Sequence, residues 1–394
     1  MIFKHKILSL ELQFIIACCN GRLTEFFIDY SEIISIGGID QFEILCLCNR
    51  HQISPIVYHA IKGNNNAACI EMLNHLKDRV FHVQIKALAA KGFLQKLEEK
   101  INEHGIQMFL LKGISISRRY YGDLGMRDAM DVDLLIAENN LDKVVELFSE
   151  MGYSYSGGYN TYTPRQKAFI KYIDYHFGFS KEDGTQPLYL ELHWALRNRF
   201  GNFILNPFLN CQGEIAHKTS PSTGLLELND VDGFLFLCSH ASEHAFYRLK
   251  WLVDVYMVHD KIEFDYKLLV DRSVELKCTE QLILSYRMLE HFFSVPLPEA
   301  IDEASKKHPI SNWLINYCIQ QVLYRGEYCD TLTEKIKNLR FSFIMNRKGI
   351  LNKRLLKRYL TSPNDWKLVQ LPDHLFFLYF ILRPFLFIYR RLKR

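Results

Sequence analysis

The chain has 394 residues, 48% hydrophobic and 23% charged, with a formal net charge of +4. This length and apolar content support a large buried core divided into two or three units, and the absence of any low-complexity tract excludes extended disorder. The ten cysteines are scattered through apolar helical patterns, and Cys46-Leu47-Cys48 lacks zinc-knuckle spacing, so they read as reduced core thiols of a cytoplasmic protein.

The first fourteen residues have no uninterrupted apolar core and no small-residue cleavage site, which argues against a secretory signal. Residues 1 to about 104 read as helices. Apolar faces begin at Leu8 and at Phe42, Pro55 interrupts the second, and a longer helix is predicted from Ala67 to Glu103, ended by Gly105. The pattern then changes. Ile106 to Leu111 reads as a strand leading into Lys112-Gly113 and a short helix, and Asp131-Val132-Asp133 opens a second strand ending at Ile136. Asn140 to Met151 reads as an amphipathic helix. Tyr172 to Ser180 and Leu188 to Leu196 read as paired strands around the turn Lys181-Glu182-Asp183-Gly184.

Beyond Glu227 the pattern is helical again. Asp232 to His259 reads as one long helix carrying His240, His244 and, further on, Asp254. No third metal ligand and no HExxH accompany the two histidines, so they fit a structural or substrate-contacting pair better than a zinc site. Arg248, Lys250 and Trp251 suit either an acceptor pocket or interdomain packing. From Arg340 to Arg394 there are 13 Lys/Arg against two acids, so the rest of the chain is net negative. Within the most apolar stretch, Leu371 to Arg394, the run Leu375 to Leu382 is only eight residues long before Arg383-Pro384 intervenes, too short to span a bilayer. A helix docked on its own domain is the expectation for it, with peripheral membrane contact as the alternative.

The chemistry concentrates in Leu110 to Ile136. Side chains alternate along a strand, so Asp131 and Asp133 share a face, and two such carboxylates are best tolerated around a divalent cation. Glu191 lies on a later strand and shares its face with His193. Lys112-Gly113 offers an open backbone and a helix amino terminus for a phosphate, with Ser115 nearby, although GxxxxGK[ST] is absent. Arg127 suits either a triphosphate contact or a pair with Asp128 or Asp123. Phosphoryl transfer needs positioning and charge neutralisation, which Mg²⁺ ions on three carboxylates can supply.

This stretch resembles the active-site signature of the polymerase β-type nucleotidyltransferase superfamily. More closely, LLKG at 110–113, YYGDLGMRDAMDVDLLI at 120–136, Gly152-Tyr153, ELHW at 191–194, HASEHAFYRLKWLVD at 240–254, and DWKLVQLP with LRP near the end resemble a bacterial family of uncharacterised nucleotidyltransferases. The resemblance implies Asp131 and Asp133 as the metal dyad, Glu191 as the third acid and Gly113 as the phosphate turn. Two features depart from the superfamily: Gly113 is followed by Ile114 rather than Gly or Ser, and 17 residues separate Gly113 from Asp131.

The expectation is therefore an α+β protein with a small mixed-sheet nucleotidyltransferase domain at 105–220, flanked by helical regions at 1–104 and 221–394. It would be a magnesium-dependent enzyme, with two ions, that moves a nucleoside monophosphate from an NTP such as ATP to a hydroxyl or phosphate of a small-molecule, peptide or saccharide acceptor. Lys112, Gly113, Ser115 and Arg127 would hold the triphosphate, and His193, His240, His244 and Arg248 would line the substrate pocket. The alternatives are an RNA-modifying transferase and a non-catalytic helical scaffold with a vestigial site.

Overall fold

The computed structural model describes residues 8–31, 38–64, 67–129, 131–155, 158–181, 188–196, 205, 208, 218–219, 225–324, 331–345, 357 and 360–392. Among the described residues four short helices, Leu10–Cys19, Leu23–Asp29, Gln41–His51 and Ser54–Ile61, precede the long helix Ala67–Glu103. Ser9 and Asp40 cap the first and third by accepting the N–H of Leu12 and Glu43. Gly105, at φ +62°, turns the chain out of the long helix as its position predicts.

Among the described residues the sheet has seven strands: β1 (Met108–Leu110), β2 (Asp131–Ile136), β3 (Ser154–Tyr155), β4 (His176–Ser180), β5 (Tyr189–His193), β6 (Lys218–Thr219) and β7 (Leu226–Glu227). Their order is β3-β4-β5-β2-β1-β7-β6. The sheet is mixed: β2 pairs antiparallel with β1 and parallel with β5. The fold is thus α+β, with helices before, within and after the sheet.

Alternation along the strands separates two cores. Val132, Leu134, Ile136, Met108, Leu110, Leu190 and Leu192 pack with the helix Leu141–Glu150 and with Phe93, Leu94 and Leu97 of the long helix. Phe109, Leu111 and Leu135 point the other way, into a core shared by the amino-terminal helices and the later helices Asp230–Glu243, Leu249–Lys261 and Thr279–Phe293. The long helix serves both, since Cys69, Met72 and Leu76 belong to this second core.

Three expectations change. Tyr172 and Ile173 are not strand: Thr163 and Gln166 form a reciprocal capping box, and the helix it starts, Pro164–Ile173, runs to Ile173. Glu182, Asp183 and Gly184 of the expected turn lie outside the described residues. The expected helix Asp232 to His259 is broken into two, because Ala245 and Phe246 adopt φ of +49° and +54° and the Phe246 side chain is fully buried in the turn. At the carboxy end, Pro384 does not interrupt the last helix, Leu378–Leu392. Trp366, Phe376 and Tyr379 pack on the sheet core, so this end of the chain is docked on the sheet. No helix among the described residues is long and apolar enough to cross a membrane.

Candidate active site

Strand β1 delivers Lys112 and Gly113 to the start of the helix Ile114–Tyr121. The Leu111 N–H bonds the Asp133 carbonyl at 3.0 Å, carrying the β1–β2 ladder one residue further and fixing Lys112 beside the acids. Gly113 sits at φ +76°, and a Cβ there would meet the Asp131 carbonyl oxygen at 3.3 Å, so backbone conformation and close approach both require glycine. Ser115 lies on the first turn of this helix, half-buried. Ser117 is turned away, its hydroxyl donating to the carbonyls of Asp123 and Leu124.

The parallel register of β2 and β5 sets Asp133 directly opposite Glu191, with His193 two residues further along the same face. One ligand atom from each of Asp133, Glu191 and His193 lies within 4.8 Å of the others. His193 Nε2 is 3.4 Å from Asp133 Oδ1 and 3.5 Å from Glu191 Oε2. Lys112 Nζ completes the cluster, 3.1 Å from Asp133 Oδ1 and 3.9 Å from Asp131 Oδ2. Asp133 is fully buried, and neither of its carboxylate oxygens has a partner in hydrogen-bond geometry. Two carboxylates, one of them fully buried and contacted by Lys112 through Oδ1 while its Oδ2 is left over, can hold a divalent cation, and His193 adds a nitrogen ligand when neutral. Asp131 and Glu191, whose side chains are 29% and 34% exposed, form the open side of the cluster.

The electrostatics follow from this crowding. Burial raises the Glu191 carboxyl, but His193 and Lys112 outweigh it and hold it at about 2. Burial lowers Lys112 and His193, yet the surrounding carboxylates win in both cases and hold each above its ordinary value. His176, the cross-strand partner of His193, stacks on it at 5.1 Å and is pushed down by burial and by that neighbour.

The remaining expected residues divide. Arg127 pairs with neither Asp123 nor Asp128. It is buried and forked onto Asp254, donating Nε to Oδ1 and Nη2 to Oδ2, both at 2.8 Å, and Tyr121 donates to the same carboxylate. This fork commits the Nε and one Nη edge of the guanidinium to Asp254. Asp128 pairs with Arg79 of the long helix instead. His240 stays near the cluster, pushed well below its usual value by burial and by Lys112 among its neighbours. His244 and Arg248 both address Trp251: His244 stacks on the indole at 4.5 Å, and Arg248 lies over it and donates to Gln52.

Two groups gain importance. His193, expected only in the substrate pocket, belongs to the acidic cluster itself; the alternation of Glu191 and His193 on one strand was the available signal. Lys250 is buried, donates to the Asp128 carbonyl at 3.0 Å, and is pulled down to about 7 by burial and Arg127. The sequence marks Lys250 only as a neighbour of Arg248 and Trp251; its tie to Asp128, 122 positions away, was not legible there. Clefts of about 520 and 580 Å³ lie elsewhere, one against Trp313 and Tyr324, the other against Phe27 and Tyr121, and neither is lined by a member of the cluster.

No curated protein shows significant similarity to the chain. Residues 37–294, well over half of the chain, match a family described as "Uncharacterised nucleotidyltransferase", and this match takes in the whole acidic cluster, the Gly113 turn and the Arg127–Asp254 pair. The chain belongs to that nucleotidyltransferase family.

Proposed function

We propose that the protein is a polymerase β-type nucleotidyltransferase that uses Mg²⁺, works in the cytoplasm, and moves a nucleoside monophosphate from an NTP to a hydroxyl or phosphate oxygen of a small-molecule, peptide or saccharide acceptor. The observation that carries this reading is the pairing of Asp133 with Glu191 across parallel strands, beside a glycine turn that opens a helix. Among the described cysteines seven are free and buried and Cys46 is free and exposed, which supports a reducing compartment.

In the proposed reaction the acceptor oxygen bonds to the α-phosphorus and pyrophosphate leaves. Asp131, Asp133 and Glu191 would hold the ions, with His193 against Asp133 and Glu191. The ions would supply charge neutralisation at the triphosphate. Glu191, held at about 2, stays anionic throughout the physiological range. The Gly113 backbone and Ser115 face the triphosphate, and the Lys112 ammonium offsets its charge. Arg127 acts by fixing the loop before Asp131 through Asp254, and His240 lines the acceptor side.

The test is labelled-nucleotide transfer in cell extract with each NTP and Mg²⁺. Asp133→Asn and the more exposed Asp131→Asn should each lower transfer by about a thousandfold, as expected when charge stabilisation is lost. Asp131→Asn should also melt within a few degrees of the parent. Full transfer by both variants would overturn the proposal.

A further inference from the structure

The terminal helix Leu378–Leu392 is held to the body of the protein along one face only. Tyr379 is fully buried, donating its hydroxyl to the Val369 carbonyl at 2.7 Å and accepting the Leu371 N–H. Arg383 and Arg390 both reach Asp365, at 2.6 and 3.0 Å, and Asp365 itself is completely buried. These contacts fix the rotation of the helix about its axis.

The opposite face carries Ile381, Phe385, Ile388 and Leu392, at intervals of four, three and four, the repeat of a single helical stripe. All four are exposed, Phe385 at 67% and Leu392 at 83%. The docking expected for this segment is therefore only half made: the aromatic inner face is seated and the outer apolar face is displayed.

Charge identifies what covers it. Both acids between Arg340 and Arg394 are already engaged, Asp365 by the two arginines and Asp373 by the Thr163 hydroxyl and the Arg165 N–H. In sequence this stretch carries 13 Lys/Arg against these two acids, and on the helix Arg391 is exposed while Arg383 and Arg390 share the one carboxylate of Asp365. An apolar stripe on so basic a segment disfavours a second copy of itself and favours an anionic, apolar-cored surface. With 15 residues, about 22 Å long, the helix is too short to cross the hydrocarbon layer and is suited to lying in its plane.

We infer that the outer face of Leu378–Leu392 is a docking surface for an anionic lipid bilayer, in which Phe385, Ile388 and their stripe enter the interface while Arg391 beside them meets lipid phosphates. The experiment is cosedimentation of the full-length chain with vesicles of phosphatidylcholine alone and of phosphatidylcholine with phosphatidylglycerol. The chain should sediment with the anionic vesicles only and be released by salt. The double variant Phe385→Glu/Ile388→Glu should bind at least about tenfold more weakly. Because both side chains are exposed, its circular dichroism and melting temperature should match the parent. Failure of the parent to sediment with anionic vesicles, or equal binding by the variant, would overturn the inference. A parent dimer that the variant converts to monomer would also overturn it, as would displacement from vesicles by single-stranded RNA that the variant no longer binds.

Discussion

His51 is fully buried, and its Nδ1 accepts the Leu249 backbone N–H at 3.1 Å, so the folded chain holds a neutral imidazole there. Burial, with Arg50 beside it, pushes His51 from 6.5 down to about 3. Between those values the unfolded chain binds the extra proton and the folded chain does not, so stability falls as the pH drops through that window. This residue alone should remove about 2 kcal/mol between pH 7 and pH 5. Urea denaturation at the two pH values checks it. His51→Asn, which keeps an acceptor that does not titrate, should show a flatter dependence, and an unchanged slope would refute the assignment. Nothing in the pattern around His51 announces this role, because the partner lies 198 positions away. The shared faces of Asp131 with Asp133 and of Glu191 with His193 were legible for the opposite reason, since alternation along one strand sets them, whereas the strand pairing that joins the two sets was not.

At the scale of elements, the 17-residue spacer after Gly113 departs from the superfamily pattern. Its described part is clamped from three directions. Arg79 and Gln84 meet it from the long helix, Asp254 takes Arg127, and Lys250 takes the Asp128 carbonyl. We predict that Asp254→Ala, which leaves Arg127 buried and unpaired, costs about 3–5 kcal/mol. The double variant Arg127→Met/Asp254→Leu should cost less than Asp254→Ala, because it removes both buried charges; chemical denaturation measures both. The clamp was illegible because its partners lie up to 127 residues away. The helix break at Ala245-Phe246 was illegible for another reason: neither residue is a glycine or proline, and tertiary burial of Phe246 holds a backbone that local preference disfavours. The helix Pro164–Ile173 could have been read from Thr163-Pro164 and Gln166, a start signal overlooked beside the aromatic run that follows.

For the molecule as a whole, helix-sheet-helix order along the chain was readable from changing hydrophobic period, and the α+β class followed from it. Which helices share a core was not, since periodicity marks an apolar face without naming its partner. Trp366 illustrates this. It lies far beyond the last strand, yet it is buried against the sheet core, meets Tyr162 edge-on at 5.0 Å, and donates to Thr361. Trp366→Ala should lower the unfolding free energy by about 3–5 kcal/mol, a cost comparable to that of a central core residue. The long helix Ala67–Glu103 has the wider consequence. Its 37 residues, about 55 Å end to end, begin in one core and finish in the other. The protein is mechanically one girder with two loads bolted to it. A fragment cut at residue 105 would carry away the strands but leave behind Phe93, Leu94 and Leu97, and with them one wall of the sheet's own interior.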